Sequence, residues 1–340
     1  MIRVLVAEDS GTARALLVEI LGSDPGIEVV GQAVDGVEAV AMAQALRPDL
    51  VTMDIRMPRM DGLEATHEIM ITAPTPIVIV SSSARRAEVE GSLAMLGQGA
   101  LEVLRKPPGP GSPGFAREAG RLVATVKAMA RVKVVRRWRG SPQAEPPRPP
   151  ALAGARARLV AIAASTGGPA ALRQLLAGLP ADFPAPILIV QHITAGFTVG
   201  LAAWLDGVSP MRVKVAVDGE PLARRTAYLA PDDGHLGVTE ARSIALCDAP
   251  PVGQFRPSAT HLFESVARAY GPSAVGVILT GMGDDGVQGL RALRRAGGRV
   301  IAQDEPSSVV FGMPAAAIEA GVVDAILSLD AIPPRLAAMA

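Results

Sequence analysis

Short apolar runs, each closed by a polar or glycine-rich turn and followed by a mixed stretch, recur along most of the chain. In the first hundred residues they are IRVLVA, DLVTM, TPIVIV and ALEVLR. Runs this short and this continuously apolar predict strands buried on both faces, with helices in the stretches between them. From Arg158 onward the alternation resumes in ARLVAIAAS, APILIVQH, RTAYLAP, SAVGVILTG and GRVIAQ, two of which lead through glycine-rich turns into predicted helices. The fold class is therefore α/β: a doubly wound domain over 1–107 and a second doubly wound, mainly parallel domain over 157–340. Between them, residues 108–156 lose the pattern. GPGSPG opens the segment, REAGRLVATVKAMARVKVV reads as a helix, and SPQAEPPRPP has nothing to build a core. This predicts a linker, helical in the middle and extended towards its proline-rich end. Its basic cluster, Arg131, Lys133, Arg136, Arg137 and Arg139, reads as a solvated face rather than a nucleic-acid contact.

Composition narrows the class. A length of 340 residues suits two domains, and 49% hydrophobic residues with only 3% aromatic means cores of Ala, Val, Leu and Ile. A formal net charge of zero argues against an electrostatic footprint for nucleic acid, and no helix-turn-helix, zinc-ligand spacing or repeat is present. Cys247 is the single cysteine, so no internal disulfide can form; it fits a reducing compartment and reads as a packed thiol. The chain opens directly into a strand without a signal sequence, and its longest apolar runs, PAPILIV and VGVIL, are far too short to span a bilayer. A cytoplasmic monomer without membrane insertion is expected.

The predicted strand ends carry the chemistry. Glu8-Asp9, Asp54, Ser81 and Lys106 each lie at the end of a buried run, so they converge at the carboxyl edge of one sheet. Three carboxylates gathered there repel one another unless a divalent cation sits among them, and a small set of hard oxygen ligands favours Mg²⁺. Lys106 can then neutralise a phosphoryl group built on Asp54, and Ser81 offers the same group a hydroxyl. This set resembles the receiver domain of bacterial response regulators, a flavodoxin-like fold, and MPRMDG at 57–62 matches the loop that follows the acceptor in such domains. The resemblance implies Asp54 as phospho-acceptor, Glu8, Asp9 and Asp54 as metal ligands, Ser81 as switch hydroxyl, Lys106 as phosphate partner and a histidine kinase as phosphodonor. Two positions depart from the family: Glu8 replaces the commoner aspartate, and Val103 stands where many receivers have an aromatic switch residue.

In the second domain Ser165 ends a strand and is followed by TGGP, which opens a helix; His192 ends ILIVQ; and the pair Asp284-Asp285 follows GVILT through GMG. Serine, histidine and aspartate at three strand ends can form an acyl-transfer triad, with helix-start N–H groups beside the hydroxyl to stabilise negative charge. The chain order and the absence of G-x-S-x-G separate it from α/β-hydrolases. IAASTGGP, QHIT, YLAP, LTGMGDDG and VVFGMP resemble the catalytic domain of the protein-glutamate methylesterase (CheB) family of bacterial chemotaxis. That likeness implies Ser165 as nucleophile, His192 as base then acid, and Asp285 rather than Asp284 as orienting acid, since the family pattern MGxDG places the acid directly before glycine. It further implies Thr166 beside the nucleophile, the Met282 N–H in the oxyanion site, no organic cofactor, and a phosphorylation-activated hydrolase that demethylates glutamate γ-methyl esters and deamidates glutamines on chemoreceptors. Ala163, Thr194 and Asp232-Asp233 depart from the family pattern.

Two other readings compete. Gly281-x-Gly283-x-x-Gly286 follows a strand, opens a helix and precedes a strand ending at Asp304, as in a dinucleotide-binding fold. That reading explains neither Ser165 nor His192, and its acids at 284 and 285 would crowd a pyrophosphate. The other is a phosphorylation-controlled interaction module with an inactive output domain. His67, His235 and His261 lack a comparable setting and read as structural, the last two as candidates to line the cleft.

Overall fold

The structure is a computed structural model in which residues 1–81, 86–132 and 156–340 are described. The chain divides into two units, Met1–Pro142 and Gln143–Ala340. The first runs β1 (Ile2–Ala7), α1 (Gly11–Gly22), β2 (Ile27–Ala33), α2 (Gly36–Leu46), β3 (Leu50–Met53), α3 (Gly62–Thr72), β4 (Ile77–Ser81), α4 (Arg86–Gln98), β5 (Glu102–Arg105) and α5 (Phe115–Met129). Its five strands pair in parallel in the order β2-β1-β3-β4-β5. The three central strands are buried along nearly their whole length, which is why they read as unbroken apolar runs. Helix starts follow from local chemistry: Asp35 and Asp61, each just before a glycine, accept the N–H of Glu38 and Glu64 and so cap α2 and α3.

Helix α5 corrects the expected boundary at 107. Its buried residues Leu122, Thr125, Val126 and Met129 fall three or four apart on one face. That face packs on α1 and β4, and Lys127 pairs with Asp24 at 2.7 Å. The helix taken for the middle of a linker therefore covers the first sheet. Lys133, Arg136, Arg137 and Arg139 of the basic cluster and the proline-rich stretch at 141–150 lie outside the described residues.

The second unit runs β6 (Leu159–Ala164), α6 (Gly168–Ala177), β7 (Ile187–Gln191), α7 (Thr198–Asp206), β8 (Arg212–Val215), β9 (Thr226–Leu229), β10 (His235–Val238), β11 (Ile244–Cys247), α8 (Ala259–Tyr270), β12 (Ala274–Ile278), α9 (Val287–Arg295), β13 (Arg299–Gln303), α10 (Met313–Glu319), β14 (Ala325–Leu327) and α11 (Ile332–Met339). Seven strands form a parallel sheet in the order β14-β13-β12-β6-β7-β9-β8, and β10 and β11 pair antiparallel beside it. The edge strands β8 and β14 and the β10–β11 ribbon are additions to the sequence reading. Both edges are short and partly exposed, so neither shows the unbroken apolar run of a central strand.

The placement of α5 yields a test. Leu122→Ala should cost the first unit about 2–5 kcal/mol, the range for a truncated core leucine, seen as a lower urea midpoint for that unit's transition. A helix free of the sheet would tolerate the change with the midpoint unmoved.

Candidate active site and phosphoacceptor site

Strand β6 is the point from which the second sheet grows both ways: β7, β9 and β8 lie in that order on one side of it, and the chain then returns to place β12 on its other side. A crevice opens at the carboxyl ends of strands where the winding reverses, here between β6 and β12. Ser165 follows β6 directly, and its N–H donates to the carbonyl of Thr280 at 3.0 Å. His192 follows β7, and its N–H donates to the carbonyl of Ala164 at 2.9 Å. Gln191 locks the two ends together, donating through Nε2 to the carbonyls of Ser165 at 2.7 Å and His192 at 2.9 Å. The turn after β12 passes so close that a Cβ on Gly281 would lie 2.7 Å from the Cβ of Ser165. Only glycine fits there, which gives the first glycine of the G-x-G-x-x-G spacing a steric reason of its own.

Asp285 is buried and Asp284 is exposed. The Asp285 carboxylate pairs with His192 Nε2 at 3.0 Å. It also accepts the Ser258 hydroxyl at 2.9 Å and the backbone N–H groups of Ala259 at 2.7 Å and Thr260 at 3.1 Å. These donors form the first turn of α8, where the helix dipole also favours negative charge. Burial pushes the Asp285 carboxyl up, but the bond to His192, its charge, and the two N–H groups outweigh it and hold the pKa below the usual carboxylate range. An ionised carboxylate only accepts, so Nε2 must carry the imidazole proton. Nδ1 is then the basic nitrogen, and it is buried with no hydrogen-bond partner among the described residues. This inverts the more familiar triad, in which Nδ1–H faces the acid and Nε2 faces the hydroxyl.

Thr166 is nearly buried, and its carbonyl accepts from Thr280 Oγ1 at 2.9 Å. Met282 is 39% exposed, and its N–H has no partner among the described residues. Asp232, a departure from the family pattern, accepts from Gly196 N–H and Thr198 Oγ1 and so ties the loop after His192 to the start of α7. His235 is fully buried, accepts the Ser258 N–H at 3.2 Å through Nδ1 and stacks on His261 at 4.8 Å. Cys247 Sγ lies 3.8 Å from His261 Nε2, and His67 is exposed on α3 beside Gln98. Among the described residues, His67, His235, His261 and Cys247 make no hydrogen bond or ring contact with Ser165, His192 or Asp285. Sequence reasoning missed the Ser258–Thr260 turn and Phe255, whose ring stacks on His192. Ser258 carried the signal of a helix cap, but not of what the cap would hold.

The first sheet repeats the device between β1 and β3. Glu8 and Asp9 follow β1 and Asp54 follows β3, with ligand oxygens within 4.8 Å of one another. Glu8 and Asp54 are 0% and 7% exposed, whereas Asp9 is open to solvent. Lys106 Nζ contacts Glu8 Oε2 at 2.7 Å and Asp54 Oδ2 at 3.0 Å. Burial raises both carboxyls above their usual range despite Lys106, and each is raised further by a neighbouring carboxylate, Asp54 for Glu8 and Asp9 for Asp54. Burial pulls the Lys106 ammonium down, but the two carboxylates win and raise it. Ser81 is 2% exposed at the end of β4, and its carbonyl accepts the Lys106 N–H at 2.7 Å. Val103 is buried in β5. In the loop 57–62, a Cβ on Gly62 would lie 2.0 Å from the Asp54 carbonyl oxygen, so the glycine after Asp61 is what lets α3 start against Asp54. An all-oxygen, predominantly acidic donor set of this size fits Mg²⁺.

Comparison with known proteins assigns each unit to a domain family. A response regulator receiver domain model matches residues 4–112, and a CheB methylesterase model matches residues 160–336. A protein-glutamate methylesterase/protein-glutamine glutaminase of Myxococcus xanthus is 57% identical over 339 residues, covering 98% of this chain and 96% of that one. One from Geobacter metallireducens is 47% identical over 344 residues, covering 100% and 99%. The crystal structure of the Thermotoga maritima CheB methylesterase catalytic domain matches with a TM-score of 0.53 at 40% identity, covering 54% of this chain and 99% of that chain. The chain is a response regulator with an enzymatic output domain. It belongs to the protein-glutamate methylesterase/protein-glutamine glutaminase family.

Two stability tests follow from the carboxylates. Asp285 has its pKa lowered on folding, so its contribution is complete above the unfolded value of about 3.9 and fades as pH falls through the folded value. The stability advantage of wild type over Asp285→Asn, from urea midpoints, should be flat between about pH 5 and 7 and shrink below about pH 4. Asp54 has its pKa raised, so its ionised form opposes folding once pH exceeds that value. Asp54→Asn should therefore raise Tm at neutral pH, and added Mg²⁺ should raise the Tm of wild type while leaving Asp54→Asn nearly unmoved. A lower Tm in Asp54→Asn, or equal Mg²⁺ shifts, would contradict this account.

Proposed function

We propose that the chain is a cytoplasmic, phosphorylation-activated hydrolase that removes methyl groups from glutamate γ-methyl esters on chemoreceptors and deamidates glutamines there, using Ser165, His192 and Asp285. The observation that carries this reading is the buried Nδ1, without a hydrogen-bond partner among the described residues, of an imidazole whose other nitrogen is held by an ionised Asp285, on the strand end next to Ser165.

Ser165 Oγ attacks the ester carbonyl carbon while its proton passes to His192 Nδ1. Asp285 keeps the ring in the Nε2–H tautomer and stabilises the imidazolium. Negative charge develops on the carbonyl oxygen, and the Met282 N–H, with Thr166 beside the nucleophile, meets it. The carbon–oxygen bond to the methoxy group then breaks as the imidazolium gives its proton to the departing methoxy oxygen, which leaves as methanol. Water attacks the acyl-Ser165 ester as His192 takes a proton again, releasing the glutamate carboxylate and restoring the serine hydroxyl. Glutamine follows the same course with ammonia as leaving group, and neither needs an organic cofactor.

In the first unit, Asp54 is the acceptor of a phosphoryl group from a chemotaxis-type histidine kinase. Glu8, Asp9 and Asp54 would hold Mg²⁺, which offsets the charge of the attacking carboxylate and the incoming phosphoryl oxygens. Lys106, already beside Asp54, pairs with the phosphoryl group, and the Ser81 hydroxyl at the end of β4 is the group that responds to it. The protein acts as a monomer.

Methanol release from methylated receptor tests the triad. Ser165→Ala and His192→Ala should each lower turnover by about 10³-fold or more without unfolding the chain, and Asp285→Asn should be severe because it lets the ring take the wrong tautomer. Wild-type turnover in Ser165→Ala would reject the triad. A small phosphodonor should accelerate the wild type and leave Asp54→Asn at its resting rate; acceleration of both would move the acceptor elsewhere.

A further inference from the structure

We propose that Phe255 is a positioning residue for the His192 imidazole, an inference that rests on His192 being the base. The two rings are stacked, with centroids 4.5 Å apart and planes 14° from parallel. This lies at the close end of the range in which stacked rings attract. The hydrogen bond to Asp285 holds the imidazole at one point, Nε2. A planar ring held at one point can still rock about that bond, and rocking would swing Nδ1 away from Ser165. A flat apolar surface against its face removes that freedom and keeps water from that side of the ring.

Core packing does not account for Phe255. Phe183, Phe197 and Phe263 are fully buried, whereas Phe255 is only half-buried and stands apart from the hydrophobic cluster of the second unit. Its own segment holds it in place. Val252 and Phe255 exchange both backbone hydrogen bonds at 3.1 Å. Just before them the Pro250 carbonyl accepts from Nε2 of the fully buried His235 at 3.1 Å. Just after them Ser258 donates to Asp285. A Cβ on Gly283 would lie 3.9 Å from Phe255 Cζ, so the ring also borders the turn that carries Met282. One short segment thus supplies a support for the acid at Ser258 and a support for the base at Phe255.

Positioning predicts a loss in kcat that depends on the flat ring. In the full-length protein hydrolysing a small methyl ester, Phe255→Leu should lower kcat roughly ten- to a hundredfold with KM within about twofold of wild type. Phe255→Tyr, which keeps the ring, should return most of kcat. Nitrogen-15 spectra of the imidazoles, with His192 identified by its absence in His192→Ala, should show the Nε2–H tautomer in wild type and Phe255→Tyr. They should show averaging of the two tautomers in Phe255→Leu. Full kcat in Phe255→Leu, a loss confined to KM, or a Phe255→Tyr protein as slow as Phe255→Leu would each overturn the proposal while leaving the triad standing. Activity that survives in Ser165→Ala would overturn the triad itself, and this inference with it.

Discussion

A buried carboxylate stays ionised only if donors replace the water it has lost, and the donors around Asp285 join the separate parts of the second unit's crevice. From α8 come the Ser258 hydroxyl and the Ala259 and Thr260 N–H groups; from the end of β7 comes His192 Nε2. The turn that carries Asp285 is fastened in return, because the Gly286 N–H donates to Thr260 Oγ1 at 2.9 Å. Each bond fixes a distance to within a few tenths of an ångström. The end of β12, the start of α8 and the end of β7 are thereby held in one register, and the imidazole takes its tautomer from it.

The first unit places carboxylates at strand ends to the opposite effect. Glu8 and Asp54 are buried with fewer donors: they share Lys106, and each accepts one backbone N–H besides, from Ser10 for Glu8 at 3.3 Å and from Ile55 for Asp54 at 2.8 Å. Their pKa values rise where that of Asp285 falls. A cluster left under-compensated in this way gains by taking up a cation. A fully compensated one such as Asp285 has no such need and serves to orient. The same residue type in the same position relative to a parallel strand therefore does different work, decided by how many hydrogen-bond donors surround it.

Both units use the carboxyl edge of a parallel sheet at the point where the winding reverses, and glycine makes the close approaches there possible. Gly62 lets α3 begin against the Asp54 carbonyl, and Gly281 lets the turn after β12 pass the Ser165 side chain. In each case the requirement is steric. The sequence around Gly281 also spells a dinucleotide fingerprint, because a tight turn between a strand and a helix needs glycines whatever it goes on to bind.

The sequence by itself determined the central strands, the α/β class and the residues at the strand ends, because strands buried on both faces must be apolar throughout and must end where polar residues begin. Its family pattern pointed to Asp285 rather than Asp284, and Asp285 is the one that pairs with His192. It did not determine the edge strands β8 and β14, whose partial exposure dilutes the apolar pattern, or the ownership of α5, since an amphipathic helix does not announce which surface its face will cover. Phe255 and Ser258 lie on a segment far in sequence from His192 and Asp285. Their contacts, like the inverted orientation of the imidazole, depend on where long-range packing brings three separate segments, and only the tertiary structure decides that.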